Sequence, residues 1–353
     1  VVIGRAGTLA GGGLAGVGAG AEFGVLLKNT QAILGGAVGA NGDIIVRATS
    51  SEDVSSIAGA ASLSVLSTIA GAGSAYRLDL TTQAYVDSGA VVRTLGSILI
   101  SAEQNDELDL IGGSANAALG TAAGASLAAA NVDKVTEAFV AAADGTRALP
   151  AAIVTAEGGG SGVTANNGAF NITFGAENGG PFEVTTPSIV GTLVDILAFV
   201  FDNPLVDAVS DVLDITPVSA PTDDQSLHDQ RHSAPTTTTV RGLAVSATAR
   251  SDVETFALGF AASFLGTPVL SGSGVVVDNQ TSAFIGAGVQ INPNQVLANA
   301  EQQVFVAAGS ESLRQPLPED VFRACHTLHG NLTMAGVTAA VDVSELLNDL
   351  VGV

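Results

Sequence analysis

The sequence predicts a mainly β protein, a right-handed parallel β-solenoid interrupted by a short two-helix insertion and closed by an irregular C-terminal cap. Three observations carry that expectation. The phrase Thr30-Gln31-Ala32-Ile33-Leu34 returns as Thr82-Gln83-Ala84-Tyr85-Val86, as Thr136-Glu137-Ala138-Phe139-Val140 and as Thr281-Ser282-Ala283-Phe284-Ile285. A second phrase, an apolar residue, any residue, then alanine, keeps time with it at Val46–Ala48, Ile100–Ala102, Val154–Ala156 and Val245–Ala247, and the first three of those alanines are 54 residues apart. A fixed internal period marks a repeat architecture, in which each unit buries its apolar face on its neighbours. Composition agrees: 43 Gly, 13 Phe, two Tyr and no Trp in 353 residues favour thin, closely stacked layers over a thick core.

Taken in order, residues 1–180 read as solenoid repeats. The run Gly11–Ala21 alternates small with larger residues, a period-two strand pattern, and Asn41-Gly42 supplies a tight turn. The Gly-rich run lacks a Gly-Lys-Ser/Thr ending and so is not read as a phosphate-binding loop. Residues 43–96 and 97–150 are two full units of about four strands each, with Glu52-Asp53 and Glu103–Glu107 as polar turns. The spacing leaves open whether a unit is one wide rung or three narrow ones. From 181 to 240 the pattern breaks. Pro187 opens a helical stripe of Ile189, Val190, Leu193, Ile196, Leu197 and Val200, Asn203-Pro204 starts a second short helix, and a polar loop runs from Pro217 to Pro235. Repeats resume over 241–312, and 313–353 reads as a cap or assembly segment. Phe139, Phe256, Phe260, Phe264 and Phe284 are expected as the bulkier interior fillers.

These units, an apolar-x-Ala phrase, an acidic or Ser-rich stretch, Gly/Ala strands and then Thr-x-Ala followed by two apolar residues, resemble the repeats of large bacterial surface adhesins of the filamentous-haemagglutinin or autotransporter-passenger type. The resemblance covers roughly 9–180 and 240–312. It implies a β-solenoid at the cell exterior, adapted as a subunit of an extracellular fibre. The helical insertion and the irregular C-terminus depart from the usual passenger pattern.

Charge narrows the partners. Twelve basic residues against 34 acidic ones give a net charge of −22, which repels phosphate backbones and argues against nucleic acid. No apolar run reaches the roughly 18 residues that span a bilayer. Cys325 is the lone cysteine, so no intramolecular disulfide is expected. The opening Val1-Val2-Ile3 reads as the start of a processed or fragmentary chain.

Candidate chemistry is sparse. Asp106 and Glu107 could join a cation-binding edge, with calcium as the ion such carboxylates take, but no cofactor is required. His228 and His232, four apart and near Asp223, Asp224 and Asp229, have a metal-ligand spacing if that segment is helical, although its prolines favour an exposed loop. Cys325, His326 and His329 form a compact set without a supporting acid. The expected function is a non-catalytic extracellular structural or adhesive protein that self-associates end to end and meets surface glycans or other cells. The alternatives are a carbohydrate-active β-helix enzyme, which needs clustered carboxylates in a groove, and a monomeric glycan-binding module.

Overall fold

The computed structural model describes residues 1–174, 231–293 and 302–312, and every regular element among them is a strand. Strands β1 (Val2–Gly12), β4 (Ile44–Ser64), β7 (Ile98–Ala118), β12 (Gly242–Ala262) and β15 (Gln303–Ser312) form sheet A. Strands β2 (Ala15–Leu34), β5 (Ser67–Val86), β8 (Thr121–Val140) and β13 (Val269–Ile285) form sheet B. The short strands β3 (Ala37–Ala40), β6 (Val91–Thr94), β9 (Ile153–Ala156) and β14 (Gln290–Ile291) form sheet C. Pairing is parallel throughout the three sheets. The chain passes through A, B and C and returns to A one strand further on. Each passage is one coil of a parallel β stack.

A unit is therefore one wide rung with two long strands and one short one, rather than the four strands expected from sequence. The expected polar turns lie inside strands, Glu52-Asp53 in β4 and Glu103–Glu107 in β7, and the equivalent Asp252–Glu254 lies inside β12. Their spacing nonetheless marks register, for Glu52 pairs with Asp106 and Ile57 with Ile111. The repeated phrases also align. Thr30, Thr82, Thr136 and Thr281 occupy one column of sheet B, and Ala32, Ala84, Ala138 and Ala283 the next inward one. Val154–Ala156 is the exception. It lies in β9 against Val92–Thr94, so the sheet A successor of Ala102 is Ala247.

The interior changes character along the strands. Where the three sheets meet, Ile44, Val46, Val86, Val92, Ile98, Ile100, Val140, Val154, Leu243 and Val245 pack as one apolar cluster. Further along, sheets A and B alone enclose Val54, Tyr76, Leu78, Leu80, Leu108, Leu110 and Val132. Toward the turns joining A to B the gap shrinks to Ala58, Ala60, Ala70 and Ala72. There Ser56 and Ser74 hydroxyls meet at 2.6 Å and those of Ser114 and Ser126 at 3.0 Å, so these four hydroxyls partner one another across the gap. A Cβ on Gly112 would lie 2.3 Å from the Leu127 carbonyl, which is why only glycine fits at that closest approach. Gly24 serves differently: a Cβ there would sit 2.0 Å from the ring of Tyr76, the one buried aromatic side chain among the described residues.

So thin an interior has no room for more rings. Phe256, Phe260, Phe264 and Phe284 are 38%, 61%, 92% and 41% exposed, and Phe139 points outward between the buried Ala138 and Val140, so none is an interior filler. Strands β10 (Val163–Phe174) and β11 (Arg231–Val240) form an antiparallel hairpin that leaves the stack after β9. Its Val163, Ala165 and Val240 pack on the outer face of sheet A against Leu99, Ala244 and Phe305. The last five residues of the expected polar loop, 231–235, thus belong to a strand, whereas the rest of that loop and the two expected helices lie outside the described residues. No helix among the described residues is long and apolar enough to cross a membrane.

Candidate binding surface on the outer face of sheet B

Strand alternation sends the fourth residue of the repeated phrase outward whenever the first, third and fifth point in. The parallel register then stacks those fourth residues from coil to coil. Tyr85 pairs with Phe139 and Phe139 with Phe284. Their rings are 4.7 and 5.0 Å apart and tilted by 4° and 2°, a continuous aromatic column on the outer face. Each ring covers its neighbour's face, so the column shows solvent mainly a strip of ring edges. The second residues of the phrases run beside it as a hydrogen-bonded ladder. Gln31 Nε2 donates to Gln83 Oε1 at 2.8 Å, Gln83 Nε2 to Glu137 Oε2 at 2.8 Å, and Ser282 Oγ to Glu137 Oε1 at 3.4 Å.

On the other side of the aromatic column stands a loop. Residues 141–152 join β8 to β9, where the equivalent links in the neighbouring coils are residues 87–90 and 286–289. The loop closes on itself through Asp144 N–H to Leu149 O and Leu149 N–H to Asp144 O, both 3.0 Å. It is tied to the preceding coil by Ser88 Oγ donating to Ala142 O at 2.7 Å and Gly89 N–H donating to Pro150 O at 2.7 Å. Arg147 completes the tie. Both of its terminal nitrogens donate to Asp87 at 2.7 Å, and its Nε donates to Asp144. Asp144 also accepts the Thr146 N–H at 2.9 Å and the Arg147 N–H at 3.2 Å. The hydrogen bond from Arg147, with those backbone donors, brings the Asp144 carboxyl down to about 2, and the same guanidinium holds Asp87 low. Arg147 in turn is held well above its usual value by Asp87 and Asp144.

Loop and column enclose a shallow, open groove of about 440 Å³ lined by Gln83, Tyr85, Asp87, Phe139, Asp144, Arg147 and Phe284. Sequence reading missed it by placing Phe139 and Phe284 indoors. The signal was present: a residue between two inward-facing small ones must face out.

The other candidates fall elsewhere. Asp106 and Glu107 are neighbours on β7 and so point to opposite faces. Asp106 is buried, and Lys134 Nζ reaches its Oδ1 at 2.5 Å with both side chains fully buried. Lys134 Nζ also donates to Arg250 O at 2.8 Å and to Ser251 Oγ at 2.5 Å, so all three ammonium hydrogens have acceptors. Burial raises the Asp106 carboxyl pKa and lowers that of the Lys134 ammonium, each opposed by the partner's charge. Thr82 and Thr136 face this same buried polar layer, Thr82 donating to Gln104. His232 lies on β11 opposite Thr173, while His228, Cys325, His326 and His329 are outside the described residues. Among the described residues no group of three or more His, Cys, Asp or Glu side chains is placed to hold a metal ion. No protein-family model matches the chain, and no curated protein and no solved structure matches it.

Proposed function

We propose that the chain is a non-catalytic structural and adhesive protein of the cell exterior, a right-handed parallel β-solenoid whose copies associate end to end. The observation that carries this reading is the free edge of sheet B. Strand β13 presents 17 residues along which no described strand pairs beyond β8, and an unpaired edge recruits further strands. The columns ending there are compatible with continuation, since they present the Phe284 ring and the side chains of Ser282 and Gln280 to an incoming strand. Non-catalytic use is supported by the groove's acids. Asp87 and Asp144 are both held low by Arg147, the reverse of a general acid kept protonated near neutral pH.

Negative-stain electron microscopy across a dilution series, with calcium and with chelator, tests the proposal. Filaments with a regular axial repeat are expected. In Gly272→Lys/Gly274→Lys, both side chains enter open space, so the fold stays intact while two charges guard the β13 edge. That variant should give dispersed particles. Dispersed particles from the unaltered chain under every condition would remove self-assembly, and filaments unaffected by the lysines would remove β13 as the joining edge.

A further inference from the structure

We propose that the groove between the aromatic column and the 141–152 loop binds a neutral glycan chain lying across the coils. This deepens the adhesive reading above and rests on it. The groove offers complementary hydrogen-bonding partners at fixed positions. Arg147 has five N–H donors and spends three side-chain bonds on Asp87 and Asp144, leaving two N–H groups on a side chain that is 52% exposed. Asp87, Asp144 and the Gln83–Glu137 ladder supply acceptors. Between these flanks runs the strip of ring edges, which carry positive partial charge and suit the lone pairs of hydroxyl oxygens. A ligand dense in hydroxyls, each both donor and acceptor, matches this set.

Charge selects among glycans. Two carboxylates against one guanidinium in the groove, on a chain of net charge −22, disfavour uronates and sulfated sugars. The geometry also selects against a peptide. Strands β5 and β8, which form the floor of the groove, are paired on both sides, so strand addition is confined to the β13 edge beside Phe284 and does not reach across the floor, and the groove is too shallow to hold anchoring side chains. The loop that makes the wall is longer than its counterparts in the neighbouring coils. Its ties to the second coil hold the groove open in advance of any ligand.

The test titrates the intact chain with neutral hexasaccharides of glucose, xylose, mannose, galactose and N-acetylglucosamine, and with hexagalacturonate as the acidic comparison. Binding is read by calorimetry and by tyrosine emission. The chain has no Trp and two Tyr, and Tyr76 is buried, so a change in emission reports Tyr85. At least one neutral hexasaccharide should bind, with affinity falling about tenfold or more in Arg147→Ala and in Phe139→Ala. Ile69→Ala, an exposed position on the same sheet, should leave it unchanged. Circular dichroism of each variant separates a lost contact from a lost fold. If only the Phe139 variant misfolds, Glu137→Ala replaces it with the same expected loss. The proposal is overturned if no neutral hexasaccharide binds, if hexagalacturonate binds more tightly, or if the groove variants bind as the unaltered chain does. Filaments persisting beside a negative titration would show that the groove assignment had failed while the structural reading stood.

Discussion

Lys134 is the residue on which the interior most depends. It is fully buried between two apolar clusters, and its ammonium is tolerable only because Asp106, Ser251 and the Arg250 carbonyl accept its three hydrogens. The bonds reach from β8 to β7 of the same coil and to β12 of the next, so they tie sheets A and B and also adjacent coils. Removing one partner strands the other charge. Lys134→Met should therefore cost about 3–5 kcal/mol in denaturant unfolding. Replacing both, Lys134→Met with Asp106→Leu, should recover most of that loss, because an apolar pair of similar volume avoids the desolvation cost. A double variant as unstable as the single one would mean that Ser251 and Arg250 carry the dependence instead. Leu80, which pairs with Lys134 in the register of sheet B, shows that the column accepts an apolar side chain.

At the scale of elements, the 141–152 loop is the part most open to pH. The folded Asp144 carboxyl lies at about 2 against an ordinary 3.8, and Asp87 is lowered as well. A lowered folded value contributes stability that is present above the ordinary value and lost as pH falls through the folded one. Acid should thus release the loop as pH drops below about 4 toward 2. Protection against hydrogen exchange at the Leu149 and Gly89 amides, which are bonded to Asp144 O and Pro150 O, should fall over that window in the unaltered chain. In Arg147→Ala it should already be low at neutral pH. Unchanged protection to pH 2 would mean that the backbone bonds alone hold the loop.

The elements also show what the sequence made legible. Period-two patterning and the Thr-x-Ala phrase located the strands and their alignment, because register depends on which side chains face inward. Strand length was hidden, since β4 and β7 run 21 residues where strands average about 5–6, and acidic pairs within them looked like turns. The groove was hidden for a different reason. Arg147 meets Asp87 only through a loop lying across the coil boundary, and no spacing rule encodes that contact.

The whole molecule is a stack in which each coil contacts mainly its neighbours, so its stability should behave as a sum of coil and interface terms. Shared register makes this testable by excision within a strand. Deleting residues 58–111, one 54-residue period, joins Ile57 to Gly112 and leaves a hybrid strand with every inward position preserved, since Ala58 pairs with Gly112. The buried charges need one adjustment. Excision brings Lys28 directly beside Lys134 by removing the intervening Leu80, while Glu52 takes the register position of Asp106. Lys28→Leu removes the surplus ammonium and leaves Glu52 to pair with Lys134. The shortened chain should keep its strand circular dichroism and cooperative unfolding, with a smaller m-value because less surface is exposed on unfolding. Deleting 58–110 instead retains Ile111 and turns the rest of the strand over. Ile111 would then point inward where only alanine or glycine fits, with the Leu127 carbonyl 2.3 Å from any Cβ placed at Gly112. That variant should be insoluble or unfolded. Equal behaviour of the two deletions would mean that inward-facing register does not govern the stack, and the column argument for the outer face would fall with it.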